Sequence, residues 1–102
     1  MKVTNDICPV VSFTEMLGGR WKLIIINTLR NRGVVRFGQL ASSIPNISRK
    51  VLTDQLKSLE GDNLISRKQY QQIPPKVEYS LTTKADGLCS VFKTIEDWIK
   101  KS

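Results

Sequence analysis

A mainly α domain carrying a small β-sheet (α+β) is the fold class this chain predicts, on three observations. The stretch from Ile44 to Ile65, IPNISRKVLTDQLKSLEGDNLI, has the marked start and stop of one helix and follows closely on a shorter helical segment. Downstream, Val77, Tyr79 and Leu81 alternate with Lys76, Glu78 and Ser80, the period of a half-buried strand, and Ile73-Pro74-Pro75 ahead of them cannot continue a strand. Apolar helical stripes close both ends of the chain. Helix, turn, helix and hairpin in that order make a winged helix-turn-helix, with an N-terminal and a C-terminal helix left over to form a dimer interface.

In chain order, Cys8-Pro9 opens the first helix, with proline at the first helical position and Cys8 at or near the cap. Val10, Phe13, Met16 and Leu17 form its stripe, which stops at Gly18-Gly19. The segment Trp21 to Leu29, WKLIIINTL, is apolar on nearly every side and predicts a helix buried in the middle of the domain. Asn31-Arg32-Gly33 ends it, and Val34 to Arg36 is a short extended piece expected to join the hairpin as a third strand. Phe37, Leu40, Ala41 and Ile44 then share one face of a short helix from about Phe37 to Ser43.

Pro45 and Asn46 break the chain, and Ser48 can cap the next helix with its hydroxyl. At about 100° per residue, Leu52, Leu56 and Leu59 fall on one narrow face, and Lys50, Asp54 and Lys57 point the opposite way with Thr53 beside them. Arg49, Lys50 and Lys57, with Ser48, Thr53 and Gln55 close by, suit a duplex, because cations neutralise phosphates while donors and acceptors reach base edges. Any amphipathic surface helix shows a charged outer face, so this helix alone does not decide the matter. Asn63 tolerates the left-handed conformation at the helix end, and extended pieces from Ile65 to Gln72 and from Lys76 to Leu81 make the hairpin. Thr82 or Thr83 caps a last helix running to about Lys101. Its apolar face, Leu88, Phe92, Ile95 and Ile99 widened by Val91 and Trp98, is broader than one small domain needs. With the first helix it could bury itself against a second copy of the chain, or it could close the domain's own core.

Length and composition bound the function. At 102 residues the chain is a single domain, 1–102, and 40% hydrophobic with 25% charged residues is an ordinary globular composition. Sixteen Lys and Arg against nine Asp and Glu give +7, which favours a polyanion. Nucleic acid is the expected partner, since no lipidation signal or basic anchor appears; with no signal segment or long apolar run, a cytoplasmic location and no membrane partner are expected. There is no histidine, and Cys8 and Cys89 are too few for a disulfide scaffold or a zinc site. No phosphate loop, nucleophile elbow or paired carboxylates appear, so neither catalytic residue, metal nor cofactor is expected.

The segments GGRWKLIIINTL, RFGQL, ISRKVLTDQLKSLEGDNLISR and Tyr70 with IPPKVEYSLT, in this order, resemble HxlR-type winged-helix transcriptional regulators, relatives of the MarR group. The likeness runs from Cys8 to about Trp98. Asn63 stands where the family usually has glycine, and so does Ala85; neither departure should disturb the fold. The resemblance implies a homodimeric regulator, expected to be a repressor, reading a pseudo-palindromic operator with two recognition helices about 34 Å apart. It implies Val10, Phe13, Leu17, Val91, Phe92, Ile95, Trp98 and Ile99 at the subunit contact. Base reading is assigned to Ser48, Arg49, Lys50 and Thr53, then to Gln55 and Lys57, with Arg36, Lys68, Gln72 and Lys76 on phosphate or in the minor groove. Some members look like sensors of oxidants or electrophiles through a cysteine at the place of Cys8. Here the thiol has a helix N-terminus to stabilise its thiolate, and it could equally be a small packed cap. A small-molecule effector between the helices is the other route to control. The rival reading is a winged-helix protein-interaction module, which would have no need of so many cations on one side.

Overall fold

The computed structural model describes residues 8–102. Its elements are α1 (Pro9–Leu17), α2 (Lys22–Arg32), β1 (Val35–Arg36), α3 (Phe37–Ser43), α4 (Arg49–Gly61), β2 (Ile65–Tyr70), β3 (Lys76–Leu81), α5 (Thr83–Asp86) and α6 (Leu88–Lys101). The sheet has the order β1-β3-β2 and is antiparallel throughout, with Val35 opposite Tyr79 and Ile65 opposite Leu81. The mainly helical winged helix-turn-helix is therefore present, including the expected third strand.

Local chemistry sets the boundaries. Pro9 stands at the start of α1, and a Cβ on Gly18 would strike the carbonyl oxygen of Thr14, so only glycine can leave the helix there. Gly33 ends α2 at φ +83°. Asn46 (φ +67°) turns the chain between α3 and α4, and Asn63 (φ +60°) turns it between α4 and β2, the role expected of Asn63. The Ser48 hydroxyl accepts the Val51 amide at 3.1 Å and caps α4. Thr82 does the same for Ala85 at 3.3 Å.

Leucines and isoleucines from α2, α3, α4 and the sheet make one core: Ile25, Ile26, Leu29, Leu40, Leu52, Leu56, Leu59 and Ile65 are all at 2% exposure or less. At about 25 cal/mol per Å², burying each such side chain contributes about 1.5 to 3 kcal/mol toward the folded state, in which α4 is fixed by three of them. Leu17 and Ala85 join the core from the flanks.

Three expectations are corrected. The α2 segment is not buried all round: Ile25, Ile26 and Leu29 are, but Ile24 is exposed and Leu23 half-buried, since α6 covers only part of that side. The last helix is not continuous, for Gly87 separates a four-residue turn of helix from α6. Leu17, expected at the subunit contact, is 2% exposed inside its own domain's core and has no surface to offer a second copy.

Candidate nucleic-acid interface

The exposed face of α4 is held outward by what its other face buries. Leu52, Leu56 and Leu59 are fixed in the core, which turns Arg49, Lys50, Asp54 and Lys57 to solvent. The start of the helix is further tied to α3, because the Arg49 guanidinium lies over the Phe37 ring at 5.4 Å. On the outer face the Lys50 ammonium donates to the Asp54 carboxylate at 2.9 Å. That contact raises the pKa of Lys50 and lowers that of Asp54, by the hydrogen bond first and by charge second. The Thr53 hydroxyl donates to the Arg49 carbonyl at 2.8 Å, a local bond that a better acceptor can replace. Ser48 and Arg36 are exposed, Arg36 just ahead of α3 with its backbone N–H bonded to the Gln39 side chain at 3.1 Å. Gln55 departs from the expected grouping. It lies about 200° round the helix from Thr53, half-buried on the other flank of the leucine stripe.

The sheet divides the remaining candidates by face. Val35, Ile65 and Tyr79 turn inward, and on the opposite face register brings Arg36 and Lys68 beside Glu78, and Tyr70 beside Lys76. Lys68 and Lys76 both lie over the Tyr70 ring, at 4.9 and 4.5 Å, and Lys76 also pairs with Glu78 at 3.4 Å. The Tyr70 hydroxyl first, then Lys76 and Arg36, hold the Glu78 carboxyl below its usual range. Lys76 is thus the most engaged cation of the wing. Gln72 is exposed in the hairpin loop, beside a fully exposed Ile73.

On its other side the wing meets α4. A cleft of about 290 Å³ between α4 and the sheet is lined by Thr53, Lys57, Glu60, Arg67 and Tyr79. Arg67 was not among the residues expected from sequence, although its place two residues after Ile65 on the same strand face was a signal for it.

Among the described residues no group of His, Cys, Asp and Glu could hold a metal ion, and no helix is long and apolar enough to cross a membrane. Cys8 is a free, exposed thiol at the start of α1, without a side-chain cap bond, and Cys89 is free and half-buried.

The model of the family described as HxlR-like helix-turn-helix matches residues 16–102. The chain belongs to this family. An HxlR-like protein of this kind is a DNA-binding transcriptional regulator, and the absence of enzymatic motifs noted in the sequence agrees with that membership. Among relatives, a protein of Fusobacterium mortiferum assigned as regulatory protein MalR is 43% identical over 91 residues, covering 89% of this chain and 86% of its own. A solved protein from Porphyromonas gingivalis W83, assigned to the MarR family of transcriptional regulators, superposes with a TM-score of 0.85 at 38% identity, covering 100% of this chain and 99% of its own. The redox regulator HypR in its reduced form superposes with a TM-score of 0.84 at 35% identity, covering 92% of each chain. This HxlR-like chain therefore shares both its sequence pattern and its three-dimensional arrangement with transcriptional regulators, one of which bears a redox function in its name.

Proposed function

We propose that this regulator binds a pseudo-palindromic operator as a homodimer, α4 of each subunit entering the major groove, and that it acts as a repressor in the cytoplasm. The observation that carries the reading is the exposed polar face of α4, with Ser48, Arg49 and Lys50 exposed and Thr53 half-buried beside them, on a helix whose leucines are locked in the core. Ser48, Arg49, Lys50 and Thr53 read base edges, with Lys57 beside them and Gln55 secondary; Arg36, Lys68, Gln72 and Lys76 hold backbone or minor groove.

A second copy is asked for by the uncovered apolar surface. Val10, Val91, Ile95, Trp98 and Ile99 are all exposed, α6 buries none of its residues, and Phe13 and Phe92 are only half-buried at the margin. A groove of about 470 Å³ between α2 and α6, floored by Leu23, Ile24, Phe92 and Ile95, continues that surface and is where a small-molecule effector would lie. Cys8 is the candidate oxidant sensor. Its exposure at the start of α1 and the likeness to HypR support the role, by which modification of the thiol shifts the subunits and changes the separation of the recognition helices.

Selection of bound sequences from a random duplex pool, with the mass of the complex measured on the same sample, tests the central reading. A symmetric motif bound by two chains is the expected result; an unselective pool retained by single chains contradicts it. For the sensor, operator affinity of wild type and Cys8→Ser is compared with and without a quinone. Loss confined to wild type is expected, and equal loss or none in both ends the idea.

A further inference from the structure

The wing carries its cations on two faces, and they are not equally available. Lys68 and Lys76 share the Tyr70 ring on the outer face, and Lys76 is also paired with Glu78. Arg67 stands on the inner face, opposite Tyr79 in register, exposed, and bonded only to the neutral Gln69 amide at 3.2 Å. No carboxylate among the described residues forms an ion pair with it. It shares the cleft between α4 and the sheet with Thr53, Lys57, Glu60 and Tyr79. Two cations against one carboxylate leave that cleft with one excess positive charge.

Geometry says what passes there. When α4 lies in a major groove, the flank bearing Thr53 and Lys57 faces one wall of the groove, whose rim is a sugar-phosphate strand. A wing on the same side must ride over that strand. The strand then runs past the mouth of the cleft, between α4 and β2. We infer that Arg67, with Lys57 opposite it, grips a backbone phosphate at this crossing and so fixes how deeply and at what angle α4 enters the groove. A guanidinium suits this place because its planar fork can take two phosphate oxygens at once, and its bond to Gln69 is weak enough to be exchanged. Glu60, at the far end of the exposed helix face, repels a strand displaced toward the C-terminus of α4 and sharpens the register. The inference rests on the DNA-binding reading above and adds a contact that the residues expected from sequence did not include.

The test measures affinity against KCl concentration for two duplexes, one selected from the random pool by wild type and one of mixed sequence and equal length. Arg67→Gln, Arg67→Lys and a control on α6, Lys93→Gln, are compared with wild type, with melting curves showing that each folds. Arg67→Gln is expected to weaken both duplexes by about tenfold and to lower the slope of log affinity against log salt by about 0.9 for each subunit bound. Arg67→Lys should recover the slope but only part of the affinity, and Lys93→Gln should change neither. An unchanged slope for Arg67→Gln, or a loss confined to the selected duplex, overturns the phosphate grip while leaving DNA binding intact. Failure of wild type to hold either duplex overturns the DNA-binding reading itself, and the grip with it.

Discussion

Helices α4 and α6 have the same kind of sequence and opposite fates. Both carry an apolar stripe at helical spacing and an i,i+4 ion pair on the polar side, Lys50–Asp54 at 2.9 Å in α4 and Lys100–Glu96 at 2.7 Å in α6. In α4 the stripe is wholly buried, but in α6 not one residue is, and Trp98 is 70% exposed. Their starts differ in the same sense, for Ser48 caps α4 with its hydroxyl while α6 begins at Gly87 with no side-chain cap. Amphipathicity tells which side of a helix is apolar and not which molecule covers it. The domain covers the apolar side of α4 itself and turns its polar side to solvent, whereas it leaves the apolar side of α6 open, the side on which the proposed second copy would pack.

The sharpest way to break this contrast is to cut into each stripe. Leu56→Ala, at a position 1% exposed, should lower unfolding free energy by about 2 to 5 kcal/mol in urea titrations. Trp98→Glu should leave the domain folded and cooperative, yet shift it from dimer to monomer by sedimentation and weaken operator binding accordingly. If Trp98→Glu instead unfolds the isolated chain as Leu56→Ala does, α6 belongs to its own core. A smaller effect tests the starts: Ser48→Ala should cost about 1 kcal/mol, because the Val51 amide loses its acceptor.

The ion pairs give the smallest and most discriminating comparison. Asp54 and Glu96 both have lowered pKa values, through the hydrogen bonds from Lys50 and Lys100 first and their charges second. A carboxyl whose folded-state pKa is depressed contributes stability above its unfolded value and loses it as pH falls through the folded one, which lies below the ordinary carboxylate range. Each pair therefore weakens on acidification, and Asp54→Asn and Glu96→Gln should both flatten the acid limb of stability measured by thermal melts. Only Asp54→Asn should also raise affinity for every duplex, by roughly two- to fivefold at low salt, since it frees Lys50 and removes an anion from the DNA-facing side. An equal gain from Glu96→Gln would blur the distinction between the helices.

How far the sequence reveals this arrangement follows from which interactions are local. Helix starts and stops were legible because Pro9, Ser48, Asn46, Asn63 and Thr82 act on backbone within a few residues. Inward and outward faces of α4 and β3 were legible because periodicity encodes them. What escaped depends on neighbours distant in sequence. The exposure of Ile24 is set by how α6 crosses α2, the burial of Leu17 by where α1 returns to the core, and the cleft at Arg67 by the approach of β2 to α4. The pairing of Lys76 with Glu78 and Tyr70 was in principle readable from strand alternation, but only once the register was known. Gln55 is half-buried like Thr53 but lies on the other flank of the leucine stripe, an azimuth that helical spacing alone gives.

In the proposed complex the double helix lies against α4 and the cleft beside it, and backbone amide shifts recorded while the pool-selected duplex is titrated into the labelled protein test that directly. The largest changes are expected at Ser48 to Thr53, Lys57 and Arg67, with the exposed side of α6 from Val91 to Ile99 unmoved. Changes concentrated on α6 with α4 silent would contradict it.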